Sequence, residues 1–436
     1  MNNRELIERD LTVNWHPCTQ MKDHQLLPLI PIKEGEGVYL YDFDGNRYLD
    51  AISSWWVNLF GHRNPYINQK IKEQLERLEH VIFAGFTHEG AVRLGERITR
   101  LTGLDKVFYG DNGSSAVEIS LKMSFHYWKN RGEIRPIFFS LENSYHGETI
   151  GALSVGDLGL YKETYRELLF QNIPLPIPKD QSESEARRAL ERAEFYFKAH
   201  RGEVSALIIE PLVQCAGFMK MHSPLFVKGL RELCDRYNVH LILDEIAVGF
   251  GRTGTLFAFE QAGILPDFLC LSKGLTGGYL PLSLVVTTDE IYRAFYCDYT
   301  EFKAFLHSHS YTGNPLAVAA ANATLDIFEN NPILERNRQK SQYIWEQLEQ
   351  FRELPNVKEV RQTGMIGAVE MIDYPVQERR GLVVYQYGLE KGVLLRPLGN
   401  VIYFMPPYTI SLSEIDLMME VAYNGIKLAG EKKWGG

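Results

Sequence analysis

Short runs of apolar, often β-branched residues punctuate the middle of this chain. They lie at Val107–Tyr109, Ile137–Ser140, Ala206–Ile209, His240–Leu243, Phe268–Leu271 and Leu284–Thr287. Most are continuous rather than alternating, the pattern of strands covered on both faces. Between them the apolar positions change to helical spacing. Over Ser114–Arg131 they fall at Val117, Leu121, Phe125 and Trp128, and over Pro224–Tyr237 at Phe226, Leu230 and Leu233. Strand and helix in alternation predict an α/β fold with a mostly parallel sheet, whose ligands bind outside the carboxyl ends of the strands. Residues 179–203 carry Glu and Arg or Lys at helical spacing and read as a solvated surface helix. A further helix from about Pro315 to Glu329 is stopped by Asn330-Asn331-Pro332. Beyond it, helices alternate with shorter strand-like runs, Met365–Glu370 and Val401–Met405. The expected organisation is a large domain over 61–330 and a smaller α+β domain over 331–436. The segment 1–60 is too short to stand alone and is expected to join the small domain.

Composition narrows the function classes. Of 436 residues, 45% are apolar and 23% charged, a globular balance that argues against a disordered chain. A net charge of −9 argues against a nucleic-acid or anionic-membrane partner, which would want a basic face. The five cysteines form no CxxC pair, so neither a disulfide framework nor a metal site is expected. Met1–Asp10 has no apolar h-region, and no run approaches the roughly 18 apolar residues of a membrane span. A cytoplasmic protein is the expectation.

Three local signals carry chemistry. Gly110-Asp111-Asn112-Gly113-Ser114-Ser115 joins a predicted strand to a predicted helix, where free backbone N–H groups, Gly113 and the Ser114 hydroxyl make an anion cradle. An ordinary Asn or Ser helix cap explains the same residues. Asp244-Glu245 closes the apolar run at 240–243, as a site carboxylate or as a turn acid. Lys273 closes the run at 268–271 and opens the glycine-rich stretch to Gly278; partial burial there lowers an amine's pKa, although a snorkelling lysine is commoner. Asp244 and Lys273 are 29 residues apart, one strand–helix–strand step, so both reach one crevice. Pyridoxal phosphate needs these parts: a phosphate cradle, a Schiff-base lysine and a carboxylate on the pyridinium nitrogen. Tyr145, after the strand at 137–140, supplies an aromatic to stack on the ring. Gly249 to Gly254 matches GxGxxG, but Asp244 to Val248 separate it from its strand, so it is not a dinucleotide fingerprint.

At these residues the chain resembles the class III pyridoxal-phosphate aminotransferases of fold type I. Leu243-Asp244-Glu245-Ile246 and Leu271-Ser272-Lys273-Gly274 carry the resemblance. Trp15-His16-Pro17, Ser53-Ser54-Trp55-Trp56, Tyr145-His146-Gly147, Tyr311-Thr312-Gly313-Asn314-Pro315, Arg396-Pro397 and Met405-Pro406-Pro407-Tyr408 narrow it. Together they are similar to the branch that aminates 8-amino-7-oxononanoate, with S-adenosylmethionine or lysine as donor. The resemblance implies that Lys273 bonds the cofactor and shuttles the proton, that Asp244 holds the pyridinium, and that Gly113 and Ser114 bind the phosphate. It further implies that Ser310, with His309 beside it, reaches the phosphate from the partner subunit, which makes the protein a homodimer. Tyr145, Trp55, Trp56, Ser308 and the position of Cys18 would line the substrate site, and Arg396 would bind the distal carboxylate. Arg252 is either a second carboxylate ligand or bonded within its loop. Three positions depart from the usual pattern: Cys18 where an aromatic is common, Glu148 where Asp is usual, and His307-Ser308-His309-Ser310 for His-Gly-Pro-Thr. Another class III ω-amino-acid transaminase, or an isomerase, is the alternative.

Overall fold

The computed structural model describes residues 1–435, which divide into two compact units. One is Tyr66–Glu335; the other combines Met1–Pro65 with the stretch from Arg336 onward.

The unit Tyr66–Glu335 is built on a seven-stranded sheet. Its strands in chain order are β1 (Lys106–Gly110), β2 (Ile137–Leu141), β3 (Asn172–Leu175), β4 (Val204–Ile209), β5 (His240–Asp244), β6 (Phe268–Leu271) and β7 (Ser283–Thr287). Across the sheet the order is β1-β7-β6-β5-β4-β2-β3. Every pairing is parallel except the two that β7 makes, with β6 and β1. The six apolar runs in the sequence are six of these strands. Every residue of β2, β4, β5, β6 and β7 is buried, as continuous apolar runs require. The seventh strand, β3, has no such signature. It contains Pro174, lies at the sheet edge and is only partly covered, the one place in a sheet that tolerates proline.

Helices α1 (Glu89–Thr102), α2 (Gly113–Asn130), α3 (Glu183–Ala199), α4 (Pro224–Tyr237) and α5 (Pro315–Asn330) are the longest of this unit. Helix α2 buries Val117, Leu121 and Trp128 in the core beside Phe138, Ile208, Ile242 and Phe268. Helix α3, charged along most of its length, still buries Ala186, Ala189, Ala193 and Phe197 and packs on α4. Helix α5 ends at Asn330, where the sequence placed its stop.

The second unit holds two small sheets. Ile32–Glu36, Tyr39–Asp42 and Arg47–Asp50 form an antiparallel meander, and Val393–Leu394 adds in parallel to its last strand. Thus the amino-terminal segment and the carboxyl-terminal stretch share one sheet. Val357–Thr363, Ile366–Met371 and Val401–Phe404 form the other. The helices Arg380–Glu390 and Leu412–Glu431 pack together, the latter starting in a capping box of Ser411 and Glu414. Among the described residues no helix is long and apolar enough to cross a membrane, and no cluster of His, Cys, Asp and Glu could hold a metal ion. None of the five cysteines, all among the described residues, is part of a disulfide.

Candidate active site

Strands β2, β4, β5 and β6 are successive neighbours and run parallel, so their carboxyl ends share one edge of the sheet. Tyr145 and His146 follow β2, Glu210 follows β4, Asp244 closes β5, and Lys273 comes two residues after β6. Asp244 is buried. Its Oδ2 lies 2.7 Å from His146 Nδ1, and its Oδ1 accepts the Ile246 N–H at 3.1 Å. His146 is buried too, and its Nε2 has no hydrogen-bond partner. The neighbouring acid does something else: Glu245 accepts the N–H groups of Ala258 and Phe259 at 2.7 and 2.8 Å. It staples the glycine-rich loop, and burial pushes its carboxyl up to about 8. The acidic pair therefore divides into a site carboxylate and a loop acid.

Lys273 holds a left-handed backbone, φ 45°, at the start of a 3-10 turn. Ser272 just before it donates its hydroxyl to the Leu282 carbonyl at 2.7 Å. Burial pushes the Lys273 amine down from its ordinary range, while Asp244 first, then Cys215 and Glu210, push it back up. Glu210 bridges two loops. Its Oε1 accepts the Tyr145 N–H at 3.1 Å and its Oε2 the Cys215 N–H at 3.0 Å. The Tyr145 hydroxyl donates to Glu148 Oε1 at 3.0 Å, so the longer acid at 148 has a partner.

The cap and the cradle coexist at the start of α2. Asn112 caps the helix by accepting the Ser115 N–H at 3.0 Å. No carbonyl of the helix is available to the N–H groups of Gly113 and Ser114. Space there demands glycine. A Cβ on Gly113 would lie 3.0 Å from Ile246 Cγ2, and one on Gly147, where φ is +127°, 2.2 Å from Ser114 Oγ. An anion can approach bare backbone at this corner, and the carboxylate and lysine stand at the neighbouring strand ends, so the residues fit a phosphorylated pyridine aldehyde.

Ser308, His309 and Ser310 lie on a separate loop before α5. Ser308 and Ser310 are exposed. His309 exchanges hydrogen bonds with Thr312, and both its ring nitrogens are buried without a partner. His307 is tied to Lys122, 2.9 Å from Nζ. Arg252 is fully buried in its loop, near enough to Cys215 to lower the pKa of that thiol against burial.

The remaining predicted residues belong to the other unit. Ser53, Ser54, Trp55 and Trp56 all have positive φ, between 46° and 75°. Four non-glycine residues in succession make a left-handed turn, at about 1–2 kcal/mol per residue. Asp50, fully buried, holds it: Oδ1 accepts the Ser54 N–H at 2.8 Å, Oδ2 the Ser54 hydroxyl at 2.7 Å, and His62 Nε2 lies 3.0 Å from Oδ2. Ser53 donates to the Met405 carbonyl at 2.7 Å. The turn sends Trp56 inward against Tyr403 and leaves Trp55 outside, with the Arg396 guanidinium 4.5 Å from its ring centre. Trp55 and Arg396 line a cavity of about 370 Å³ with His16, Pro17, His24 and Tyr385, and Trp56 is not part of that lining. Cys18 is exposed beside Pro17 and also holds a positive φ, 51°.

Four residues that bear on these sites carried no specific signal in the sequence: His146 as the partner of Asp244, Glu210, Asp50 and His62. Each acts through a partner brought in by the fold.

The chain matches the family model for aminotransferase class III over residues 19–424. It is 53% identical over 423 residues to the adenosylmethionine-8-amino-7-oxononanoate aminotransferase of Helicobacter pylori, covering 95% of this chain and 96% of that one. Against the enzyme of the same name from Geobacter sulfurreducens it is 43% identical, covering 93% and 94%. Among solved structures, the Methanocaldococcus jannaschii enzyme of that name superposes with a TM-score of 0.93 at 37% identity, over 98% of this chain and 99% of that one. An (S)-enantioselective omega-transaminase from Thermomicrobium roseum superposes with the same score at 28% identity and the same coverage.

Proposed function

The chain belongs to the class III aminotransferases, and we infer from this that it transfers an amino group to 8-amino-7-oxononanoate, giving 7,8-diaminononanoate for biotin synthesis. The observation that carries the reading is Arg396 stacked over Trp55 at the wall of a cavity, in a chain this similar to enzymes of that name. Pyridoxal phosphate is the cofactor of the family and of this chain. When bound it supplies a carbonyl for amine exchange and an electron-withdrawing ring beside the reacting carbon.

The chain's own residues divide the remaining work. Backbone N–H groups of Gly113 and Ser114 bind the phosphate at the positive end of α2. Asp244, steadied by His146, holds the proton on the ring nitrogen. Tyr145 stacks on the ring. Lys273 Nζ holds the cofactor at rest and carries the proton to and from the substrate's amine-bearing carbon, a task that suits an amine lowered by burial. Trp55 shapes the substrate wall, with Trp56 packed behind it and Cys18 next to Pro17 of that wall; the family pattern gives Ser308 a place at the substrate as well. Arg396 takes the distal carboxylate through its planar fork. His309 and Ser310 complete the phosphate site of a partner subunit in a homodimer. His309, with two buried unpartnered nitrogens, has hydrogen-bonding capacity left for that role. The donor is S-adenosylmethionine or lysine, and the enzyme works in the cytoplasm.

The holoenzyme is to be incubated with 8-amino-7-oxononanoate and each donor in turn, with the diamine read by mass spectrometry. One donor yields 7,8-diaminononanoate and the Lys273→Ala protein yields none. Consumption of 4-aminobutyrate or ornithine, with no diamine from either donor, would give the protein to the ω-amino-acid transaminases. Product from Lys273→Ala would sink the role of that lysine.

A further inference from the structure

Glu210 is a fully enclosed carboxylate to which transamination at Lys273 gives no obvious task. It follows β4, between the strand that ends in Asp244 and the strand that leads to Tyr145. Both its oxygens are occupied by backbone N–H groups, of Tyr145 and of Cys215. Its own carbonyl lies 3.3 Å from His222 Nε2, which further fixes the segment. The neighbouring groups that bear on its charge are His146 and Asp244. Lys273 in turn feels Glu210 beyond Asp244 and Cys215.

We propose that Glu210 is a positioning residue of the transamination site: it clamps the turn bearing Tyr145 and His146, and it is a second buried negative charge acting on Lys273. The clamp has a geometric consequence. Tyr145 and His146 are adjacent, so the bond to the Tyr145 N–H also fixes where His146 meets Asp244. One carboxylate thus holds both the stacking ring and the group that orients the other carboxylate. The charge has a second consequence. Burial first, and the Asp244 charge after it, push the Glu210 carboxyl up to about 7, while His146 and the two N–H groups pull it down. The groups that face it or its loops are Asp244, His146, Cys215, Lys273, Arg252 and His222. As pH rises past neutrality Glu210 becomes negative and favours the protonated form of Lys273.

This rests on the cofactor chemistry of the proposed function, but its test needs no substrate. Glu210→Gln removes the charge and leaves one oxygen for two donors. Glu210→Asp keeps the charge but is one methylene too short to span both. Each holoenzyme is titrated with pH by the visible band of the lysine-bound cofactor, and cofactor release is followed on dilution. In Glu210→Gln the titration midpoint falls by about one pH unit, as loss of a nearby negative charge requires. Its cofactor dissociates about tenfold more readily, the effect of one lost charge-assisted hydrogen bond. Glu210→Asp keeps the wild-type midpoint and still loses cofactor several-fold faster. Wild-type midpoint and release in Glu210→Gln, with only a lower Tm, would overturn the proposal. Should Glu210→Gln fail to fold, wild-type release from Glu210→Asp would overturn it. A failure of the substrate reading would appear instead as an absent diamine product with these titrations unchanged.

Discussion

At the scale of single residues, the phosphate corner depends on the absence of one carbon atom. Gly147 has φ +127°, and a Cβ there would overlap Ser114 Oγ at 2.2 Å. Gly132 also has a positive φ, +82°, but faces open space. The two separate backbone strain from displacement of the cradle. Gly132→Ala is expected to lower stability by about 1 kcal/mol and to leave cofactor release unchanged. Gly147→Ala suffers similar strain and also pushes Ser114 aside, so cofactor release rises tenfold or more; dilution of the two holoenzymes compares them directly. Equal release from both would remove Ser114 from the cradle. The sequence disclosed this corner, and Lys273 and Asp244, because each sits in a short local pattern at a strand end. It disclosed the supports poorly. His146 meets Asp244 across 98 positions and Glu210 meets Tyr145 across 65, separations over which a linear pattern carries no information about contact.

At the scale of elements, burial decides what can be read. Six of the seven strands of the large sheet announce themselves because strands covered on both faces must be apolar throughout. The edge strand Asn172–Leu175 is free of that demand, and its proline argues against a strand anywhere but at an edge. The turn at Ser53–Trp56 was invisible for a different reason. Nothing in Ser-Ser-Trp-Trp favours a left-handed backbone; tertiary bonds impose it. Asp50 supplies three of them, two to Ser54 and one to His62. Asp50→Asn retains one acceptor oxygen and turns an amide toward a donor. The turn should then relax toward right-handed conformations and take Trp55 off Arg396. The expected result is a KM for 8-amino-7-oxononanoate raised about tenfold with kcat little changed, since the loss is in acceptor binding. Steady-state kinetics at fixed donor reads it, and a fall in kcat alone would contradict this role for the turn.

At the scale of the whole molecule, the net charge of −9 gives the substrate's carboxylate no general attraction, so recognition falls to Arg396. Buried titrating groups matter more to the molecule's response to pH, and they pull in two directions. His222 and His240 are buried, and burial pushes both down to about 4. His240 lies 2.9 Å from the Ser124 hydroxyl and stacks on Trp128 at 4.7 Å, a neutral setting. The folded state resists protonating them while the unfolded chain does not, so their contribution is lost as pH falls from about 6.5 through 4. Each accounts for up to about 3 kcal/mol over that span. Glu210 and Glu245 are pushed up, to about 7 and about 8, so the folded state holds their protons longer. Their contribution is present at low pH and is lost as pH rises from about 4.5 through 8. Between about pH 4.5 and 6.5 the two pairs oppose each other, and the parent protein alone would show little slope from either. Differences between proteins expose them. Relative to wild type, His240→Gln should gain Tm as pH falls below about 6.5, whatever it loses in packing at neutral pH. Glu245→Gln should gain Tm relative to wild type as pH rises from about 4.5 to 8, although it gives up one loop hydrogen bond throughout. Thermal melts of the three holoenzymes across that range would return difference curves of opposite slope; parallel curves would mean that neither group carries the titration.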